Sequence, residues 1–204
     1  MNKLKNENGV TILMALLLLL AATVVSVVIL SAAATAARHL ENDRALQQSY
    51  LTVSSAAELI RDDILSSQFQ EEATTRRPSA TSAPIVSTKQ LQAPSGLMAD
   101  WLCAARTSVE RNLPFSSSAV LSVGTDSGLA DVQMTFTMDT DWHIKVTFSL
   151  SDGGEDDCRL TLTLSGDKNV ETKTVTGSET EAGQDTVTTT TITWSSAHIG
   201  KGAG

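Results

Sequence analysis

The sequence predicts an α+β fold, in which a long N-terminal helix packs on a small antiparallel β-sheet head. Three observations support this prediction. Residues 10–37 carry no charge, apolar residues recur at helical spacing as far as Ile64, and apolar and polar residues alternate from Val132 onwards. Helical spacing gathers apolar side chains on one face, and strict alternation is typical of a strand with one buried face. We therefore expect a helix whose first half spans a membrane and whose second half supports the head.

The uncharged stretch at residues 10–37 follows a short polar leader at residues 1–9. A helix needs about 20 apolar residues to cross a bilayer core, so this stretch is long enough to span it. A cleaved secretory signal has a shorter apolar core of about 7–15 residues, although the small residues after Leu30 keep that interpretation open. The stretch could also be an ordinary single-pass anchor, or a segment that is inserted into the membrane first and joins a filament core later.

The charges around this stretch say little about its orientation. Lys3 and Lys5 precede it and Arg38 and Arg44 follow it, and positive residues mark the cytoplasmic side only when the two flanks differ. The downstream region is rich in Ser and Thr and has only two cysteines, which is typical of an exported domain. We therefore expect a single-pass protein with a cytoplasmic N-terminus and an extracytoplasmic head.

The junction between leader and helix carries a family resemblance. Gly9 is followed by Val10, Thr11, Ile12 and Leu13, and then by further aliphatic residues. This order resembles the processing site of the type IV pilin and pseudopilin superfamily. The resemblance implies that prepilin peptidase cleaves between Gly9 and Val10 and that the new N-terminus is methylated. It also implies that the helix assembles with other pilin-like subunits on an inner-membrane platform.

Two positions depart from the family pattern. Val10 stands where the family usually has Phe, and Met14 stands where major pilins have Glu. In the family, that Glu is thought to pair with the N-terminus of a neighbouring subunit, and a carboxylate in lipid is costly unless it is paired. Its replacement by Met14 is similar to K-type minor pseudopilins and to some minor pilins, which sit at filament tips or act in priming.

The helix is expected to continue beyond the apolar stretch, as an amphipathic segment at residues 38–67. Neither Pro nor Gly occurs between Val10 and Pro78, so one helix can run from about Val10 to about Ser67. Apolar residues spaced by three and four positions predict a stripe on one face, formed by Leu46, Tyr50, Val53, Ala57, Ile60 and Ile64. The stripe should pack on the head. The alternative is a coiled-coil seam between two copies, but the stripe contains only a few heptad repeats to support it.

Residues 68–95 are predicted to be a surface loop, because they are rich in Ser, Thr and Gln and contain three of the prolines. Only a short extended piece is expected within it, at residues 83–86. A second helix is predicted between Gly96 and Asn112, with Ser95 as its N-cap. The globular head is expected to comprise residues 96–204.

The remainder of the head is predicted to be β. Alternating residues at 132–138 and 142–150, joined by a short acidic turn, predict a hairpin. Leu160, Leu162 and Leu164 continue the alternation. A last pair of strands, at about 169–177 and 186–194, is rich in Thr and poor in apolar residues, so we expect it at a sheet edge. The apolar face of this sheet should pack on the helix stripe.

Few residues suggest chemistry. Cys103 and Cys158 could form a disulfide in an exported domain, and two separate buried thiols are the alternative. The run Glu155, Asp156 and Asp157 is a weak calcium candidate, but it lacks the alternating ligand spacing of a calcium loop. We expect no bound metal and no cofactor. The sequence contains no recognisable nucleophile, phosphate-loop or metal motif, so an enzyme is not expected.

The sequence as a whole favours a structural protein. The net charge is −8, without a basic stripe, which argues against nucleic acid as a partner. The resemblance implies a minor pilin or pseudopilin-like subunit of a type IV pilus or type II secretion-like filament. Its partners would then be other pilin-like subunits, prepilin peptidase, the assembly platform and membrane lipid. The alternative is a membrane-anchored extracellular binding module that does not join a filament.

Overall fold

The computed structural model describes residues 4–76, 83–122, 130–150, 158–176 and 184–201; the side chains of residues 4–10, 176 and 184 are outside this description. The predicted α+β fold is confirmed. Within the described ranges, two helices and seven strands follow one another in the order α1 (Leu4–Ser66), β1 (Gln68–Arg76), β2 (Ile85–Gln92), α2 (Ala99–Val109), β3 (Phe115–Leu121), β4 (Val132–Met138), β5 (Ile144–Leu150), β6 (Leu160–Thr176) and β7 (Gln184–Lys201).

The chain forms two compact units, Met1–Gln48 and Ser49–Gly204. The first contains the larger part of α1, and every side chain from Thr11 to Gln48 is exposed. The helix begins at Leu4, six residues before the predicted start at Val10. Helix boundaries depend on local hydrogen bonds as well as on composition, so a polar leader can still join the first turns.

The second unit contains the sheet and the core. All seven strands belong to one antiparallel sheet with the order β2-β1-β7-β6-β5-β4-β3. Val53, Ala57, Ile60 and Ile64 of the predicted stripe are buried, and they share one core with residues of the sheet such as Phe136 and Phe148. The stripe is therefore confirmed from Val53 onwards. Its two earliest members are outside the core, since Leu46 is 41% exposed and Tyr50 is 45% exposed.

The hairpin of β4 and β5 is confirmed, with Val132 opposite Leu150 and Met138 opposite Ile144. Its connection is longer than predicted, because Trp142 leaves the strand with φ of 68° and turns into the core. The Asp139 carboxylate holds the loop by accepting backbone N–H bonds from Asp141 and His143, both at 2.9 Å. The indole N–H of Trp194 donates to the Trp142 carbonyl at 3.1 Å.

The prediction of a surface loop at residues 68–95 is wrong, because most of this segment forms β1 and β2. The two strands pair with each other, and β1 also pairs with β7, from Gln68 opposite Thr193 to Thr75 opposite Thr186. Backbone hydrogen bonds make these ladders, so polar side chains do not prevent them. Pro84 and Pro94 lie just outside β2, where their missing N–H groups interrupt no ladder.

The Thr-rich strands were also misplaced by the sequence-based prediction. The segment at 160–164 and the described part of the segment predicted at 169–177, as far as Thr176, belong to one long strand, β6. β7 lies inside the sheet between β1 and β6. β7 is an interior strand of the sheet because it also pairs with β1, which lies more than a hundred residues earlier in the chain. A pattern within β7 itself cannot indicate so distant a partner. A bulge between Thr163 and Ser165 marks the point where β6 leaves the core. There Gly166 is required, since a Cβ would overlap the backbone of Trp142.

Helix α2 is shorter than predicted, and a different residue caps it. It begins at Ala99, and its N-cap Met98 has no side-chain cap of its own. The Asp63 carboxylate of α1 accepts the backbone N–H of Met98 at 2.8 Å and that of Leu97 at 3.3 Å. Gly96, with φ of +105°, allows the close approach, because a Cβ there would overlap the same carboxylate. Ser95 instead offers its carbonyl to the Ser67 hydroxyl.

We expect Asp63→Ala to destabilise the head by about 1–2 kcal/mol, since it removes the acceptor for two N–H groups at the start of α2. The matched control is Asp62→Ala, because Asp62 is exposed and forms an ion pair with the neighbouring surface residue Arg61; this substitution should cost less than about 0.5 kcal/mol. Urea unfolding of the detergent-solubilised chain, followed by tryptophan fluorescence, measures both, because all three tryptophans lie in the second unit. Equal shifts for the two variants would contradict this role for Asp63.

Candidate functional site

An extensive exposed apolar surface covers the first part of α1 and is the candidate functional surface. Its large aliphatic side chains between Ile12 and Leu30 are 55–73% exposed, and they occur at nearly consecutive positions, so all sides of the helix are apolar. Leaving a single such side chain in water costs about 1.5–3 kcal/mol relative to burial. The helix is long and apolar enough to be a membrane span. It therefore needs lipid or other apolar helices around it.

The hydroxyl groups in this part of α1 are suited to such an environment. Thr23 donates to the Leu20 carbonyl at 2.8 Å, Ser26 to the Ala22 carbonyl at 2.8 Å, and Thr35 to the Ser31 carbonyl at 2.9 Å. Each bond satisfies the donor within its own helix, so the hydroxyl does not need water. These residues interrupt the apolar sequence without adding unsatisfied donors.

The predicted processing and assembly residues all lie within α1. Gly9 and Val10 are helical, and the structure does not describe the side chain of Val10. Thr11, Ile12, Leu13 and Met14 follow on the exposed helix, with Met14 at 65% exposure. Met14 therefore presents an uncharged thioether on the exposed surface of the helix.

The predicted disulfide is not formed, and both cysteines are free. Cys103 is on the exposed side of α2, opposite the face whose Leu102 and Ala105 enter the core, and Cys158 is buried just before β6. An even cysteine count is compatible with a bond, but it does not fix the helix face on which a thiol lies. Partial burial, and in addition the nearby Asp100 carboxylate, raise the pKa of the Cys103 thiol.

The weak calcium candidate, Glu155 to Asp157, lies outside the described residues. A different group was missed by the sequence-based prediction: ligand atoms of Asp139, Asp141 and His143 all lie within 4.8 Å of one another. The signal in the sequence was their alternate spacing in the β4–β5 connection. Carboxylate and imidazole groups can bind a divalent cation, but the Asp139 carboxylate already holds this connection together through the two backbone N–H bonds.

An open depression of about 550 Å³ lies beside this connection, lined among others by Phe115, Thr137, His143, Lys145 and Ser196. His143 Nδ1 is 3.5 Å from Asp139 Oδ1 at its edge, and both side chains are more than half exposed. Water therefore reaches this pair freely, which weakens its electrostatic interaction. The expectation that the chain is not an enzyme stays a prediction.

Comparison of the chain with protein-family models, curated proteins and solved structures finds no match. The resemblance to pilin-like proteins therefore depends on residues 9–14 and on the architecture. A long apolar N-terminal helix followed by an antiparallel sheet is compatible with a pilin-like architecture.

We expect a maleimide to label Cys103 but not Cys158 in the native chain, and to label both after unfolding without a reductant. Because the pKa of Cys103 is raised, its labelling rate should reach half-maximum at a higher pH than that of an ordinary thiol, since only the thiolate reacts. Asp100→Asn should move this midpoint to lower pH, and the control Asp141→Asn should not. A mass spectrometric count of two unreactive cysteines in the unfolded, unreduced chain would show that a disulfide exists after all.

Proposed function

We propose that the chain is a minor pilin or pseudopilin-like structural subunit, which prepilin peptidase processes after Gly9. The observation that carries the proposal is the fully apolar, exposed surface of α1 directly behind Gly9. A plain anchor needs only lipid around such a helix, whereas a filament subunit exchanges lipid for the equivalent helices of its neighbours. Other pilin-like subunits, the inner-membrane assembly platform and membrane lipid are then its partners.

Met14 supports the assignment to the minor class. A subunit with a carboxylate at this position can bind the N-terminal amine of a neighbour in the apolar filament core, where an unpaired charge would be costly. Met14 offers packing but no charge. A subunit of this kind can add its helix to a bundle without a charged partner, which suits a tip or priming position better than a repeated one.

In this proposal the N-terminus is cytoplasmic, and the second unit lies on the extracytoplasmic side. The Ser- and Thr-rich composition and the acidic net charge of −8 suit an exported head that does not bind nucleic acid. Buried side chains of α1 such as Ile60 and Ile64 belong to the core of that head. One helix thus supplies both the apolar segment and part of the head's core.

A membrane-anchored binding module is the second candidate, and a surface of the sheet favours it. Beyond the core, the register places Thr172 beside Thr188 and Thr174 beside Thr186. With Thr190 these residues form the threonine face, an uncharged array of hydroxyl and methyl groups. The Oγ1 atoms of Thr172 and Thr188 lie 3.5 Å apart. Such an array could bind an uncharged ligand at the cell surface.

The N-terminal sequence of the membrane-extracted chain separates the two candidates. In a host with active prepilin peptidase we expect the mature chain to begin at Val10, and Gly9→Val should leave Met1 or Asn2 at the N-terminus. The control Asn8→Ala should be processed normally, because the resemblance places the recognised residue at Gly9. A wild-type chain that retains Met1 in this host, but is displayed at the surface, would overturn the filament proposal in favour of the binding module.

A further inference from the structure

The second part of β6 has an unpaired outer edge. β5 pairs with β6 only from Phe148 opposite Leu160 to Ile144 opposite Leu164. After the bulge, β6 continues to Thr176 and pairs there with β7 on one side. Among the described residues no strand pairs with the other side. We call residues 167–175 the open edge of β6.

Every side chain of the open edge is exposed, including Val170 at 51% and Val175 at 49%. The backbone groups along an unpaired strand edge are a template for pairing with another strand. Natural sheets usually protect such edges with proline, with a covering segment or with charged side chains. The open edge contains no proline, and its charges allow a specific arrangement of two copies.

The charges of the open edge are self-complementary. Glu171 and Lys173 flank Thr172, and in the single chain their charged atoms lie 4.0 Å apart with both side chains more than 60% exposed. If a second copy pairs antiparallel about a two-fold axis at Thr172, Glu171 of each copy lies opposite Lys173 of the other. Opposite charges at directly paired positions stabilise a sheet.

The same register brings the next two residues on each side into compatible pairs. Val170 lies opposite Thr174 of the second copy and Asn169 lies opposite Val175, so no like charges meet. A two-fold axis at Glu171 or at Lys173 would instead place two identical charges directly opposite each other. The charge pattern therefore favours the axis at Thr172 over both neighbouring positions.

The other outer edges of the sheet lack this complementarity. The outer edge of β2 carries Lys89 as its only charge, so two copies would have no acidic partner for it. β3 carries no charge along its length. Among the described outer edges, the open edge of β6 alone has opposite charges that an antiparallel copy would bring together.

We infer that two copies of this chain associate through the open edge of β6, antiparallel and centred on Thr172. Pairing joins the two seven-stranded sheets into one continuous sheet. It also continues the threonine face across the two-fold axis, because Thr172 and Thr174 of both copies lie on the same side. The inference does not depend on processing at Gly9 or on filament assembly.

Cysteine cross-linking of the full chain in its membrane tests the register. In a Cys103→Ser, Cys158→Ser background, Thr172→Cys should give a disulfide dimer under mild oxidation, because directly opposite Cβ atoms lie about 4.5–5.5 Å apart. The control Thr174→Cys should not cross-link with itself, since its partner position is Val170. Co-expressed Val170→Cys and Thr174→Cys chains should cross-link. Equal cross-linking of the Thr172 and Thr174 variants, or of neither, would overturn the inference.

Charge reversal tests the interaction in solution. Glu171→Lys or Lys173→Glu converts two attractive pairs into two repulsive ones and should raise the dimer dissociation constant on the order of tenfold. The double variant Glu171→Lys with Lys173→Glu restores both pairs and should restore the dimer. Sedimentation velocity of the detergent-solubilised chain measures the association, with tryptophan fluorescence as the check of folding. A double variant as weak as the single ones, or singles equal to the wild type, would refute this interface.

Discussion

Burial of one face of α1, from Val53 to Ile64, is the interaction on which the rest of the head depends. The sheet is a single layer and cannot enclose its own apolar face, so the space over side chains such as Phe136 and Phe148 has to be filled from outside the sheet. The helix fills that space with side chains that are almost completely inaccessible to water. On the same helix turns Asp63 holds the start of α2 in place. A single helical face thus positions both the sheet and the second helix.

The sequence-based prediction succeeded for the elements in which burial of one face determines the side-chain pattern. Apolar spacing along α1 and alternation in β4 and β5 both follow from burial of one face, and the structure confirms both. Prediction failed for β1 and β2, whose ladders are made by backbone groups and leave no apolar alternation in the sequence. It failed in the same way for the interior position of β7, because its neighbour β1 is distant in the sequence.

The candidate functional surface was more predictable than the fold around it. An apolar stretch of this length has no polar face to turn towards water, so its composition alone indicates an apolar environment. Individual side-chain contacts were not predictable in this way. The capping of α2 by Asp63, the separation of Cys103 from Cys158, and the gathering of Asp139 with His143 each depend on how the backbone turns.

Gly166 separates the part of β6 that packs on the core from the part that extends beyond it, and this separation determines where the length of the chain can change. On one side of it, β6 is packed against Trp142 and the core; on the other, β6 and β7 run on as a ladder of mostly polar residues. Inserting two residues into each of these strands keeps every side chain on its original face, whereas inserting one reverses the faces. Before Thr186 of β7, where β1 no longer pairs with it, the ladder can therefore lengthen or shorten in pairs of residues while the core stays unaltered, which makes that end the natural place for changes of length.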